Sequence, residues 1–104
     1  MEKKPFEIKF KDDQKKLTIK FSGSLVINHI EDIITTIKER VDFTKNLHIN
    51  ISNPDNIDLT FIQLVISLQK TSLNKEIDFS VSAKIKDYLN LILTNADFNK
   101  IIFN

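Results

Sequence analysis

The segment Asn56-Ile57-Asp58-Leu59-Thr60-Phe61-Ile62-Gln63-Leu64 places a carboxylate two residues before a hydroxyl, at the head of an apolar run. That arrangement belongs to a helix start. The first N–H groups of a helix lack intrahelical partners, and the helix dipole favours negative charge there. Either Asp58 or Thr60 can supply the cap, since Thr60 with Gln63 is itself a capping-box pattern. Thr60, Gln63, Ser67, Lys70 and Asn74 recur at spacings of three and four, opposite Leu64, Val65 and Leu68. Thr60 therefore begins the solvent side of the helix, where a hydroxyl can meet a kinase or a partner protein. The plainer role for both residues is capping, worth about 1 kcal/mol.

Other chemistries are poorly supplied. Cys is absent, which excludes disulfides, thiol nucleophiles and Cys-ligated metals. Gly23 is the single glycine, so no Gly-rich phosphate loop exists. His29 and His48 are the two histidines, too few for a His-based metal cluster. Asp55, Asp58, His29 and His48 are the candidate acid–base groups, and their spacing suggests no nucleophile–base pair. The expectation is a protein without catalytic residues, cofactor or metal.

The chain has 104 residues and a formal net charge of +1, one domain over 1–104 at ordinary domain sizes. Hydrophobic residues make up 41% and charged residues 28%, as in soluble globular proteins. Ile (17), Lys (14) and Asn (10) dominate, a bias that reads as A/T-rich coding and carries no mechanism. The first residues lead into charged alternation rather than an apolar signal segment. No apolar run approaches the roughly 20 residues of a membrane span. The expectation is a cytoplasmic protein without membrane insertion. Residues 1–20 hold seven lysines against four acids. Such a segment can touch nucleic acid or a membrane surface. The interleaving of Glu2, Glu7, Asp12 and Asp13 favours a solvated strand pair instead, with Lys protecting an edge. No nucleic-acid partner is therefore expected.

Elements that position these groups follow from hydrophobic period. Phe6, Ile8 and Phe10 alternate with Glu7 and Lys9; Leu17, Ile19 and Phe21 alternate with Thr18 and Lys20. Period-two alternation predicts two half-buried strands, joined as a hairpin through residues 11–16. Residues 28–42 predict a helix with the stripe Ile30, Ile33, Ile34, Ile37 and Val41. Asn28 would cap it, with Glu31 reaching back. Leu47, Ile49 and Ile51 predict a third strand, with His48 on its polar face; residues 52–56 predict a turn. A second helix runs from Leu59 to about Leu73, with Phe61, Ile62, Leu64, Val65, Ile66 and Leu68 buried to differing degrees. Ile77, Phe79 and Val81 predict a fourth strand. Ser82 would cap a third helix to about Thr94, with Ile85, Tyr88, Leu89 and Ile92 inward and Leu91 a scattered surface residue. Lys100 to Phe103 would close the chain as a strand.

Parallel strands covered on both faces read as continuous apolar runs, whereas these are polar at every second residue. The prediction is an α/β fold of two layers. A mixed sheet of about five strands carries helices mainly on one face, in the order ββαβαβαβ.

The order of elements and the 57–64 loop resemble the STAS domain, the fold of anti-sigma factor antagonists. Phe21-Ser22-Gly23-Ser24-Leu25 resembles the family's apolar-x-Gly-x-Leu approach to its first helix. Tyr88-Leu89 through Ala96-Asp97-Phe98-Asn99-Lys100-Ile101 resembles its closing pattern. The resemblance covers residues 6–103. It matches Asp58 to the family's acidic loop residue and Thr60 to its phosphorylatable hydroxyl. Leu59 stands in place of a Ser, and Phe61 in place of the usual Gly, adding bulk beside Thr60.

The resemblance implies a regulatory domain that docks a partner, such as a serine kinase that doubles as an anti-sigma factor. Asp58, Thr60, Phe61, Gln63 and Ser67 are the implied contacts, with phosphorylation of Thr60 as the switch. Small STAS proteins are also similar to accessory subunits that brace the ATPase of lipid-transport ABC systems, where Thr60 would be an unmodified contact. A small-molecule site on the open sheet face, lined by Lys9, Lys20, His48, Asn50 and Ser80, is a further alternative; a polar face left in water is the plainer one.

Overall fold

A computed structural model describes residues 5–84. The hairpin forms as β1 (Phe6–Asp12) and β2 (Lys16–Leu25), antiparallel, with Ile8 opposite Phe21 and Phe10 opposite Ile19. A 3-10 turn (Ile27–His29) leads into α1 (Ile30–Arg40). Then come β3 (Asn46–Ser52), the short β4 (Asn56–Ile57), α2 (Leu59–Asn74) and β5 (Phe79–Lys84).

The sheet runs in the order β1-β2-β3-β5, with β4 pairing the far end of β2. β2–β3, β3–β5 and β2–β4 are parallel, so the five-stranded sheet is mixed. The described residues form a small α/β unit with two helices. The expected third helix and last strand, with Ile85, Tyr88, Leu89, Leu91 and Ile92, lie outside the described residues.

Alternation along the strands sorts the faces as period two requires. Ile19, Phe21, Leu47, Ile49 and Ile51 share one buried cluster with Ile33 and Ile37 of α1 and with Phe61, Ile62, Val65 and Leu68 of α2. Phe21 and Phe61 meet edge to face, ring centroids 5.1 Å apart. On the opposite face, the described strand positions carry only polar side chains. Arg40 closes one margin of the core by lying over the Phe10 ring, 4.5 Å from its centroid.

Two local expectations are corrected, and the 52–56 turn is found with a short strand at its end. Asn28 does not cap α1. It sits inside the 3-10 turn closed by His29 N–H donating to the Val26 carbonyl (2.9 Å), and the helix begins at Ile30 behind His29, whose side chain makes no capping bond. Ser82 is not a helix cap: pairing with β3 extends β5 to Lys84, and Ser82 lies opposite Asn50. The 52–56 turn contains Asn53 at φ 48° and then passes directly into β4.

Gly23 is where three segments converge. Its φ is +86°, and a Cβ there would lie 2.6 Å from the Pro5 carbonyl oxygen and 2.8 Å from Phe6 Cα. Its own carbonyl accepts the Asp55 N–H at 2.8 Å, while the next residue, Ser24, donates its N–H to Pro5. Only a residue without a side chain lets the start of β1 come this close to β2 at a positive φ.

Candidate functional site

β4 sets the height at which α2 begins. Ser24 pairs with Asn56 and Leu25 with Ile57, and Asp58 N–H then donates to the Leu25 carbonyl at 3.2 Å. Asp58 thus leaves the sheet extended (φ −131°, ψ −179°) and caps α2. Its Oδ1 accepts from Thr60 N–H at 3.0 Å and Phe61 N–H at 3.4 Å, and also from the Thr60 hydroxyl. The choice left open between Asp58 and Thr60 goes to Asp58, because β4 pairing holds it in the extended conformation a cap requires.

The second carboxylate oxygen does something sequence spacing does not show. Oδ2 accepts the Ile27 N–H at 2.8 Å. One carboxylate therefore joins the start of α2 to the turn ahead of α1. Burial on its own raises the Asp58 pKa; the Thr60 hydroxyl and the N–H groups of Ile27, Phe61 and Thr60 outweigh it and hold the carboxyl below its ordinary value. A carboxylate so satisfied is a poor general acid or base.

Thr60 is half-buried in the first turn of α2, and Gln63 and Ser67 are exposed on the same helix. Phe61 is corrected as a surface contact: it is fully buried against Phe21, because the first turn of α2 directs it into the core. It therefore adds no bulk around the Thr60 hydroxyl. Its place at the surface falls to Leu59, 54% exposed, and to Ile27, 60% exposed, which flank Asp58 in sequence and through its hydrogen bond. Leu73, at the other end of α2, is 68% exposed.

A second polar cluster forms on the open sheet face. His48 Nδ1 lies 2.7 Å from Ser80 Oγ, and Nε2 lies 3.0 Å from Ser82 Oγ. The neutral ring donates to one serine and accepts from the other. Partial burial, then the positive charge of Lys16, hold the His48 pKa below its ordinary value. The 2.7 Å separation is that of a nucleophile and its base. Yet the far nitrogen meets a serine, and among the described residues no carboxylate bonds the ring to stabilise an imidazolium. The cluster is a cross-strand tie between β3 and β5. Residue parity was the available signal, since 48, 80 and 82 are polar positions of adjacent strands. The other histidine, His29, lies against the Phe6 ring, with centroids 5.8 Å apart.

Among the described residues, no three of His, Asp and Glu gather into a group that could hold a metal ion. None of their helices is long and apolar enough to cross a membrane. No protein-family model matches the chain, and no curated protein matches it.

Proposed function

We propose that this chain is a non-enzymatic regulatory interaction domain of STAS type, similar to anti-sigma factor antagonists. It docks a partner protein through the loop and helix that begin at Asp58 and Thr60, and phosphorylation of Thr60 releases that partner. The observation that carries this reading is the bond between the Thr60 hydroxyl and Asp58, the same carboxylate that holds Ile27. A change at Thr60 is therefore felt on two surface segments at once. The docking contacts are Leu59, Gln63 and Ser67 on α2, with Ile27 beside them.

Transfer of a phosphoryl group from ATP forms the bond from Thr60 Oγ1 to phosphorus, releases ADP and frees the hydroxyl proton. Thr60 then donates nothing to Asp58. A group of about −1.5 to −2 charges stands beside the carboxylate instead. The α2 dipole offsets part of this, by about 0.3–1 kcal/mol. The helix persists, and the effect falls on the docking surface as desolvation and charge repulsion. A hundredfold loss of affinity needs about 2.7 kcal/mol.

The test is incubation with a serine kinase encoded beside this chain, followed by intact-mass measurement. A single phosphate on wild type and none on Thr60→Ala supports the reading. Modification that persists in Thr60→Ala, or its absence in wild type, removes Thr60 from the switch.

A second reading rests on Leu59, Ile66 and Leu73, which stand at seven-residue spacing along α2 and are exposed, half-buried and exposed in turn. Such an apolar line suits a constitutive contact, as with the ATPase of a lipid-transport ABC system. Co-purification with an ATPase, unaffected by Thr60→Ala, distinguishes it.

A further inference from the structure

The sheet face away from the helices concentrates positive charge. Strand register places Lys9 directly opposite Lys20, Lys11 opposite Thr18, Lys20 opposite Asn50, Lys16 opposite Asn46, and Ser52 opposite Lys84. Alternation puts Lys9, Lys11, Lys16, Lys20 and Lys84 on this one face, and all five are exposed. Three acids lie on or beside it. Glu7 is spent on Lys9 at 3.5 Å, Asp78 stands just ahead of β5, and Asp13 sits at the hairpin turn, its carboxylate held by the N–H groups of Lys15 and Lys16. Elsewhere in the described residues the balance reverses, with six basic side chains against eight acidic ones. The described residues, with as many basic as acidic side chains, thus divide into a cationic sheet face and an acidic remainder.

We propose that this face docks on an anionic lipid headgroup surface. The inference is independent of Thr60 and of the α2 loop. Three observations select this occupant among polyanions. Every cation on the face is Lys, a mobile point charge suited to a diffuse anionic layer; the one arginine, Arg40, is over Phe10 on the other side. No strand position of the face carries an aromatic residue other than His48, so nucleic-acid bases have nothing to stack on. Among the described residues both helices pack on the other face, so none stands on this one to enter a groove. The rest of the face is Ser, Thr and Asn, which donate hydrogen bonds to phosphate oxygens. With no apolar side chain at any of these strand positions, contact is electrostatic and peripheral, without insertion. Lys9 opposite Lys20 is unfavourable in isolation, since like charges paired across strands repel. An anionic layer removes that repulsion.

The experiment is flotation of the full chain with vesicles of phosphatidylcholine alone, and of phosphatidylcholine and phosphatidylglycerol in equal amounts. A random-sequence DNA duplex serves as a competing polyanion. The expected result is binding to the anionic vesicles at low salt and none to neutral ones. Binding should fall at least tenfold when salt is raised severalfold, because screening shortens the reach of surface charge. Lys9→Glu with Lys20→Glu should lose at least tenfold in vesicle partitioning, while Thr60→Ala keeps it. Circular dichroism checks that the charge-reversed chain folds, and Lys11→Glu with Lys84→Glu is the second variant should it not. No partitioning at low salt, equal partitioning onto neutral vesicles, or full retention by the charge-reversed chain overturns the proposal. Capture by the duplex without capture by vesicles also overturns it and assigns the face to nucleic acid.

Discussion

The Asp58 carboxylate accepts the backbone N–H of Ile27 at 2.8 Å, tying together two residues 31 positions apart. Its other oxygen caps α2. The two helix approaches are therefore held by one side chain, and the Thr60 hydroxyl is bonded to that same group.

Removing the carboxylate tests the tie. Asp58→Ala should cost about 1–2 kcal/mol, the loss of a good helix cap. Ile27 is 60% exposed, so water replaces the carboxylate there and adds little to the cost. Denaturant unfolding measures the stability. Hydrogen exchange should report much faster exchange at the Ile27 amide in Asp58→Ala, and a smaller acceleration in Thr60→Ala, which frees the carboxylate of one of its bonds.

The same carboxylate has an acid signature. Its folded pKa lies below the ordinary 3.8, because hydrogen bonds from Thr60, Ile27 and Phe61 outweigh burial. Its contribution is therefore complete above about pH 4 and is lost as pH falls through the folded value. Acid unfolding of wild type should show this loss, and Asp58→Ala should show a shallower pH dependence below pH 4.

His48 works in a different window. Its folded pKa is lowered from 6.5 by partial burial, then by Lys16. The unfolded chain then binds more protons, so stability is complete above about pH 6.5 and falls as the medium is acidified towards the folded value. Thermal unfolding between pH 7 and pH 5 should show this decline. It should flatten in His48→Gln, which cannot titrate.

Gly23→Ala should destabilise by about 1–3 kcal/mol, from left-handed backbone strain and from contact with Pro5 and Phe6. Chemical unfolding measures this. A cost under about 0.5 kcal/mol would show that β1 withdraws without penalty.

Glu76 stands at φ 59° just after α2, where its N–H donates to the Leu73 carbonyl and Ile77 N–H to that of Ser72. That is a left-handed helix end, the position glycine favours. Glu76→Gly should therefore raise stability, by up to about 1 kcal/mol, as a small upward shift of the melting temperature.

Much of the frame was legible because period-two and helical periods are local. Ile19, Ile49 and Val81 face one way, and Lys20, Asn50 and Ser82 the other, as alternation predicts. The start of α2 at Leu59 was legible from Asp58 and Thr60. The start of α1 was not, since the Ile27 N–H is claimed by Asp58 from another part of the chain. Ser82 reads locally as a cap; pairing with Asn50 on β3 makes it a strand residue. Helical period reads Phe61 as inward and the resemblance reads it as bulk beside the hydroxyl; the first holds, and Phe61 is the core partner of Phe21.

By itself, the sequence determined the two-faced strands, the polar stripe of α2 and the lack of residues for thiol or phosphate-loop chemistry. Each depends on residue type and on neighbours a few positions away. Only the tertiary structure decided that Asp58 holds Ile27, that His48 bridges Ser80 and Ser82, and that five lysines from β1, β2 and β5 share one surface. Strand order and register bring those groups together, and they are set by the burial of the opposite face rather than by the polar residues themselves.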